Sequence, residues 1–202
     1  MSSSNPAGVP PAVILINPKY AHNVGAVLRA CSCFGLKQLW WTGRRVTLDV
    51  PAGGRLPREE RMKGYRDVEM LRSERPFDAF GPEATPVVIE VRSNSECLFD
   101  FEHPLNPVFV FGPEDGSVPK PMLHQCHRFV VIPTAHCLNL ATAVTTVLYD
   151  WRLKRRLRGL DPVRPAGDYL NEHRGLADGS DVFVDVSAEG LGAGHQARAR
   201  TR

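Results

Sequence analysis

Two apolar runs in this chain each end in a tight Gly/Pro loop, and that arrangement limits the folds open to it more than any other feature. Phe109 to Gly116 reads Phe-Val-Phe-Gly-Pro-Glu-Asp-Gly. Phe129 to Pro133 reads Phe-Val-Val-Ile-Pro, followed at Cys137 to Ala143 by Cys-Leu-Asn-Leu-Ala-Thr-Ala. An unbroken apolar run of this kind suits a strand buried on both faces, as in a parallel sheet sandwiched between helices. The second loop opens into a helix: over Asn139 to Arg158, Leu140, Val144, Val147, Leu148 and Trp151 recur at three-to-four spacing. Upstream, Val13 to Ile16, Gln38 to Trp41, Pro86 to Val91 and Pro107 to Phe111 read as strands. Asn23 is placed to cap a helix running to Phe34, with Gly35 as its stop. Arg58 to Leu71 reads as a charged helix and Lys120 to Cys126 as a short one; Phe129 to Ile132 is the last strand. Strands alternating with helices predict an α/β sandwich around a mainly parallel sheet.

Composition sets the outer limits. The 202 residues suffice for one domain with a substantial core. At 43% apolar and 23% charged, the chain has the composition of an ordinary globular protein. No apolar run is long enough to span a bilayer, and the Ser/Pro/Ala-rich start lacks the order of a signal peptide, so a cytoplasmic protein is expected. Three segments are expected: an extension over 1–11, a folded domain over 12–158, and a largely disordered tail over 159–202, where only Val182 to Val186 hints at a strand. The five cysteines, an odd number, argue against a disulfide framework. His124, Cys126 and His127 lie close together, but no zinc-type pair recurs elsewhere; a short covering helix is the preferred interpretation, and no metal is expected.

The net charge of +3 permits a nucleic-acid partner without requiring one. Residues able to do chemistry gather in two places upstream of the loop that opens the last helix. Asn23 and Arg29 are six apart, within two turns of one helix, and Gly25 at its first turn lets another backbone or a ligand come close. The fixed charge and planar donor fork of Arg29 suit a phosphate. Gly112 and Pro113 turn the chain at the carboxyl end of a strand, the usual ligand side of a parallel sheet. Glu114 follows at that rim, where it could pair with Arg29.

These three segments, Asn17 to Gly35, Phe111-Gly-Pro-Glu-Asp-Gly-Ser-Val-Pro119, and Ile132-Pro133 with Cys137 to Ala143, together resemble the SPOUT-class RNA methyltransferases. The match is to their SpoU/TrmH branch and covers Ala12 to Arg158. The resemblance implies a SPOUT-type α/β fold with a C-terminal trefoil knot. It implies ribose 2′-O-methylation of RNA with S-adenosylmethionine as donor, without a metal. It casts Arg29, Asn23, Glu114 and Asn139 as catalytic, and Val91, Gly112, Ile132, Cys137 and Leu138 as the grip on the cofactor. The family commonly has Ser where this chain has Cys137, so any task needing a hydroxyl there is in question. Arg29 is often given the role of base; a guanidinium stays protonated, so electrostatic help beside a phosphate is the more economical role. His22 is a second candidate to accept the proton, weighed against an ordinary exposed histidine.

Arg44, Arg45, Arg58, Arg61 and Lys63 form a basic segment suited to RNA phosphates, although acidic residues interleave with it. Arg152 to Arg158 form another. Trp40, Trp41 and Tyr65 could stack on bases, with Trp40 better read as core. The resemblance further implies a homodimer. The first motif begins near the start of the chain, so no separate N-terminal RNA-binding domain is expected. That layout resembles the branch members acting on tRNA; rRNA is an alternative substrate, and a catalytically inactive RNA-binding protein of the same fold is the alternative function.

Overall fold

The computed structural model describes residues 6–46 and 67–162. The chain divides into Met1–Asp161 and Pro162–Arg202, and of the second unit only Pro162 is described. Of the tail expected over 159–202, all but residues 159–162 lies outside the described residues, as do most of the expected helix from Arg58 and the residues Arg58, Arg61, Lys63 and Tyr65.

Seven strands form one sheet among the described residues, in the order β3-β2-β1-β6-β4-β7-β5, and every pairing is parallel. They are β1 (Ala12–Leu15), β2 (Gln38–Trp41), β3 (Glu69–Arg72), β4 (Thr85–Ile89), β5 (Glu96–Cys97), β6 (Pro107–Phe111) and β7 (Arg128–Val131). The helices are α1 (Ala21–Phe34), α2 (Lys120–Leu123) and α3 (Leu140–Leu157).

The central strands are apolar throughout because both faces are covered. Val13, Leu15, Leu39, Val87, Phe109 and Val130 face the layer made by α1 and α3, where Val24, Val27, Leu28, Val144, Val147, Leu148 and Trp151 meet them. Their neighbours Ala12, Ile14, Trp40, Val88, Val108 and Val110 face the other layer, built from Phe77, Phe80, Val118, Leu123 and Cys126. Successive side chains of a strand point to opposite faces, so two cores require alternate residues of one run to be equally apolar.

The sequence-based outline holds for the central strands and the two long helices, with three corrections. Glu69 to Leu71 belong to the edge strand β3 and not to a charged helix; four residues with charged ends carry too little apolar period to reveal an edge strand. The two-residue β5 has no signal of its own. The N-cap of α1 is Tyr20, which makes no side-chain capping bond, and Asn23 lies inside the first turn with its side chain engaged elsewhere. Gly35 does end α1, in the left-handed region at φ 80°. Trp40 is buried, as its apolar context suggested. Cys126 is also buried, its thiol pushed up to about 12 by burial and donating to the Met122 carbonyl at 3.4 Å. No described helix is long and apolar enough to cross a membrane.

Candidate active site

Parallel strands end together, and a loop leaves each one on the same side of the sheet. At the carboxyl ends of β4, β6 and β7 these loops enclose a cavity of about 520 Å³. Ile89, Glu90 and Val91 come from the first strand end, Phe111 to Glu114 and Gly116 from the second, and Val131, Ile132 and Thr134 from the third. Cys137 to Leu140 and Ala143 close it from the start of α3, and Tyr20, His22 and Asn23 from the start of α1. The size lies within the usual range for a cofactor or small-molecule site.

One hydrogen-bonded relay ties the starts of α1 and α3 to the loop after β6. Asn139 caps α3, its Oδ1 accepting from the amides of Ala141 at 2.9 Å and Thr142 at 3.4 Å. Capping fixes which end of the carboxamide faces the helix, so Nδ2 points away and donates to Asn23 Oδ1 at 3.0 Å. Asn23 in turn donates from its own Nδ2 to Glu114 Oε1 at 2.8 Å. The backbone amides of Lys19 and Tyr20 complete the carboxylate's shell, at 2.7 Å to Oε2 and 3.4 Å to Oε1. Burial pushes the Glu114 carboxyl upward, but the Asn23 side chain and the backbone amides outweigh it and hold the carboxyl below its ordinary range. Glu114 is thus a charged anchor at neutral pH and a poor proton acceptor.

Each carboxamide nitrogen in the relay carries a second N–H with no acceptor among the described residues. Two donors held at fixed orientation beside a cavity can orient an incoming hydroxyl or stabilise an oxygen as it gains charge. Asn23 is 3% exposed, so its position is set by packing as well as by bonding.

Of the residues singled out in the sequence, Asn23, Glu114, Asn139, Val91, Gly112, Ile132, Cys137 and Leu138 all line this cavity. Arg29 does not: it is exposed, two turns further along α1. His22 lines the cavity and stacks on Tyr20, with ring centroids 5.3 Å apart. Arg44 is exposed and lines none of the cavity; Arg45 is engaged with Asp115 through two bonds of 2.8 Å. Sequence reasoning missed Tyr20, Glu90 and Thr134. Tyr20 and the Lys19 amide sit inside the quoted first motif, and their signal was the spacing from Asn17 to Asn23. Glu90 follows an apolar strand directly, which was the available clue. One of its carboxylate oxygens accepts from the Val118 amide at 3.2 Å, bracing the loop after Gly112.

Residues 10–149 match the model of the SpoU rRNA methylase family. The chain belongs to that family. SpoU relatives with assigned activities include the tRNA (cytidine-2′-O-)-methyltransferase TrmJ of Methanocaldococcus jannaschii, 24% identical over 71% of this chain and 68% of the relative. The tRNA (cytidine(34)-2′-O)-methyltransferase of Burkholderia cenocepacia is 28% identical over 69% of this chain and 93% of the relative. Among solved SpoU structures, the A. aeolicus TrmH/SpoU tRNA modifying enzyme aligns with a TM-score of 0.60 at 18% identity, covering 86% of this chain and 89% of that one. AviRb from Streptomyces viridochromogenes, solved in complex with AdoMet, aligns at 0.55 with 22% identity, covering 73% and 61%. These structural likenesses agree with the seven-stranded parallel sheet and its flanking helices.

Proposed function

We propose that this SpoU protein transfers a methyl group from S-adenosylmethionine to a ribose 2′-hydroxyl of tRNA. The observation that carries the proposal is the Glu114–Asn23–Asn139 relay at the edge of the 520 Å³ cavity. It brings the family's three motifs, far apart in sequence, to one point. Among relatives, the two named above act on tRNA riboses, and the Burkholderia enzyme is matched over nearly its whole length.

The cavity suits the cofactor. Ile89, Val131, Ile132 and Leu138 give apolar surface for an adenosine, while the loops after Phe111 and Ile132 supply backbone groups for its polar edges. Bound there, S-adenosylmethionine supplies a methyl group already activated on a sulfonium centre. The chain's own residues then position the acceptor, and its hydroxyl proton passes to His22, which lines the cavity, or to water as the oxygen–methyl bond forms and the sulfur–methyl bond breaks. Asn23 and Asn139 offer their second N–H groups to the ribose, and Glu114 holds both amides in register. Arg29 binds the neighbouring phosphate and lowers the cost of forming the oxyanion. Its absence from the cavity of its own subunit supports a homodimer in which Arg29 serves the site of a second copy. Tyr149, Leu153 and Leu157, exposed at four-residue spacing on α3, offer apolar surface for that dimer. The family resemblance also implies a trefoil knot through the segment from Ile132 to Asn139, and a tRNA substrate implies a cytoplasmic enzyme. Arg44, Arg45, Arg58, Arg61 and Lys63 are assigned to phosphate contacts.

Isothermal calorimetry with S-adenosylmethionine, followed by methyl transfer to unfractionated tRNA with mapping of 2′-O-methyl positions, tests the proposal. Binding with ribose methylation of tRNA is expected. A folded protein that binds no cofactor would favour the inactive RNA-binding alternative, which Cys137 alone supports. Methylation of ribosomal RNA in place of tRNA would move the substrate to the class named in the family description.

A further inference from the structure

We propose that Lys19 and Arg45 form a subsite for a phosphate of the RNA substrate at the rim of the cavity, and that Asp115 occupies it as an internal stand-in until RNA displaces it. The inference rests on the function proposed above and adds a residue-level account of how substrate is admitted.

Three segments converge here. Lys19 comes from the loop between β1 and α1, Arg45 from the loop after β2, and Asp115 from the loop after β6. The Arg45 guanidinium covers both oxygens of Asp115, Nη1 to Oδ1 and Nη2 to Oδ2, each at 2.8 Å. The Lys19 ammonium joins on Oδ2 at 3.1 Å. A forked guanidinium with a second cation on one oxygen is the arrangement that receives a phosphodiester, because carboxylate and phosphate present the same two-oxygen face. Arg45 and Lys19, in that order, hold the Asp115 carboxyl well below its usual range, so the group carries full charge at neutral pH.

The cluster is open to exchange. The side chains of Lys19, Arg45 and Asp115 are 39%, 32% and 44% exposed, so an approaching anion can reach them, and solvent screens the pairing it must replace. Glu114, the other nearby anion, is already satisfied by Asn23 and two backbone amides. Among the described residues, Asp115 is therefore the acidic side chain that a phosphate must displace.

Position points to the substrate as the occupant. Lys19 uses its backbone amide on Glu114 and its side chain on Asp115, so the subsite lies one residue from the relay. Its ammonium also lies 5.3 Å from the centroid of the Tyr20 ring, which is 44% exposed and lines the cavity. Basic groups beside an exposed ring are the combination that binds an unpaired nucleotide, phosphate on the cations and base or sugar on the ring. An internal carboxylate in such a place disfavours stray anions and yields only to a ligand with further contacts nearby.

Fluorescence anisotropy with unfractionated tRNA, titrated across salt concentrations, tests the arrangement. Four proteins are compared: wild type, Asp115→Asn, the double variant Lys19→Ala/Arg45→Ala, and the triple variant. Asp115→Asn should bind tRNA about 3- to 10-fold more tightly, because the cations no longer have to exchange partners. The double variant should bind at least about 10-fold more weakly, with a salt slope shallower by about 1. In the triple variant the gain from Asp115→Asn should vanish. Asp115→Asn leaving binding unchanged or weaker would overturn the proposal. So would a gain of equal size in the triple variant, since that would be a general charge effect. Calorimetry with S-adenosylmethionine on all four proteins checks that the cavity is intact. Loss of cofactor binding in the wild type would defeat the proposed function, whereas the pattern of tRNA affinities judges the subsite by itself.

Discussion

Asn139 performs two tasks with one side chain, and they can be separated chemically. Its Oδ1 caps α3 and its Nδ2 holds Asn23. Asn139→Ala removes both, and should cost about 1 kcal/mol of stability as well as most turnover. Asn139→Asp keeps an oxygen for the cap, and its charge favours a helix N-terminus. It also places an oxygen against Asn23 Oδ1, where a donor is needed. That variant should melt within a degree or two of wild type yet lose at least about 100-fold in kcat, an effect of the size seen for loss of a positioned donor; thermal melts and single-turnover rates check both. Glu114 carries the pH dependence of the same relay. Its folded-state carboxyl lies below the ordinary value, so its contribution to stability is complete above the unfolded-state value and is lost as pH falls through the lower, folded one. Glu114→Gln should flatten that part of the acid limb of a stability–pH curve.

At the level of elements, the loops matter more than the strands they follow. Both α1 and the relay depend on how the chain turns after β1. Asn17 takes a positive φ of 45°, which asparagine tolerates, and its amide is fixed by the Thr42 hydroxyl at 3.0 Å. Gly43 faces it at φ 79°, and a Cβ there would collide with the Asn17 side chain. Gly35, at φ 80°, has open space where a methyl group would stand, with no atom within 4 Å, and a side chain there meets only the backbone penalty. Gly35→Ala should therefore cost about 1 kcal/mol, and Gly43→Ala more, with cofactor affinity falling only in the second. Urea denaturation and calorimetry separate the two. The edge strand β3 and the minimal β5 show the limit of pattern reading: short strands are selected by a sheet that is already present, not by their own residues.

For the whole molecule, the decisive matter is what lies outside the cavity. Arg29 sits on α1 away from the pocket that its motif partner Asn23 enters. If Arg29 serves a second copy, Arg29→Ala and Asn139→Asp should each be inactive alone while binding RNA. Mixed subunits should then regain a measurable fraction of wild-type methyl transfer, because some mixed dimers hold one intact composite site. Mixtures as inactive as the separate variants would place Arg29 and Asn139 in the same site or show no dimer. Cofactor binding should also raise the melting temperature of the wild type, by the equivalent of about 2.7 kcal/mol at a hundredfold excess over Kd.

The sequence by itself determined the layers and most of the cavity wall. Runs such as Val13 to Ile16 and Phe109 to Phe111 suit strands buried on both faces, and the Gly/Pro loops after them lie on the ligand side of the parallel sheet. The three motifs were legible through the resemblance to the SpoU/TrmH branch, which joins Gly/Pro turns to polar residues in a set order. Only the tertiary structure decided what those polar residues do. Asn23 looked like a helix cap and instead links Asn139 to Glu114, and Arg45, read as part of a basic segment for RNA phosphates, grips Asp115. The physical reason is range: propensity and period act over a few residues, whereas a side chain's hydrogen-bond partner is chosen among groups brought close by packing, here 91 and 116 positions apart.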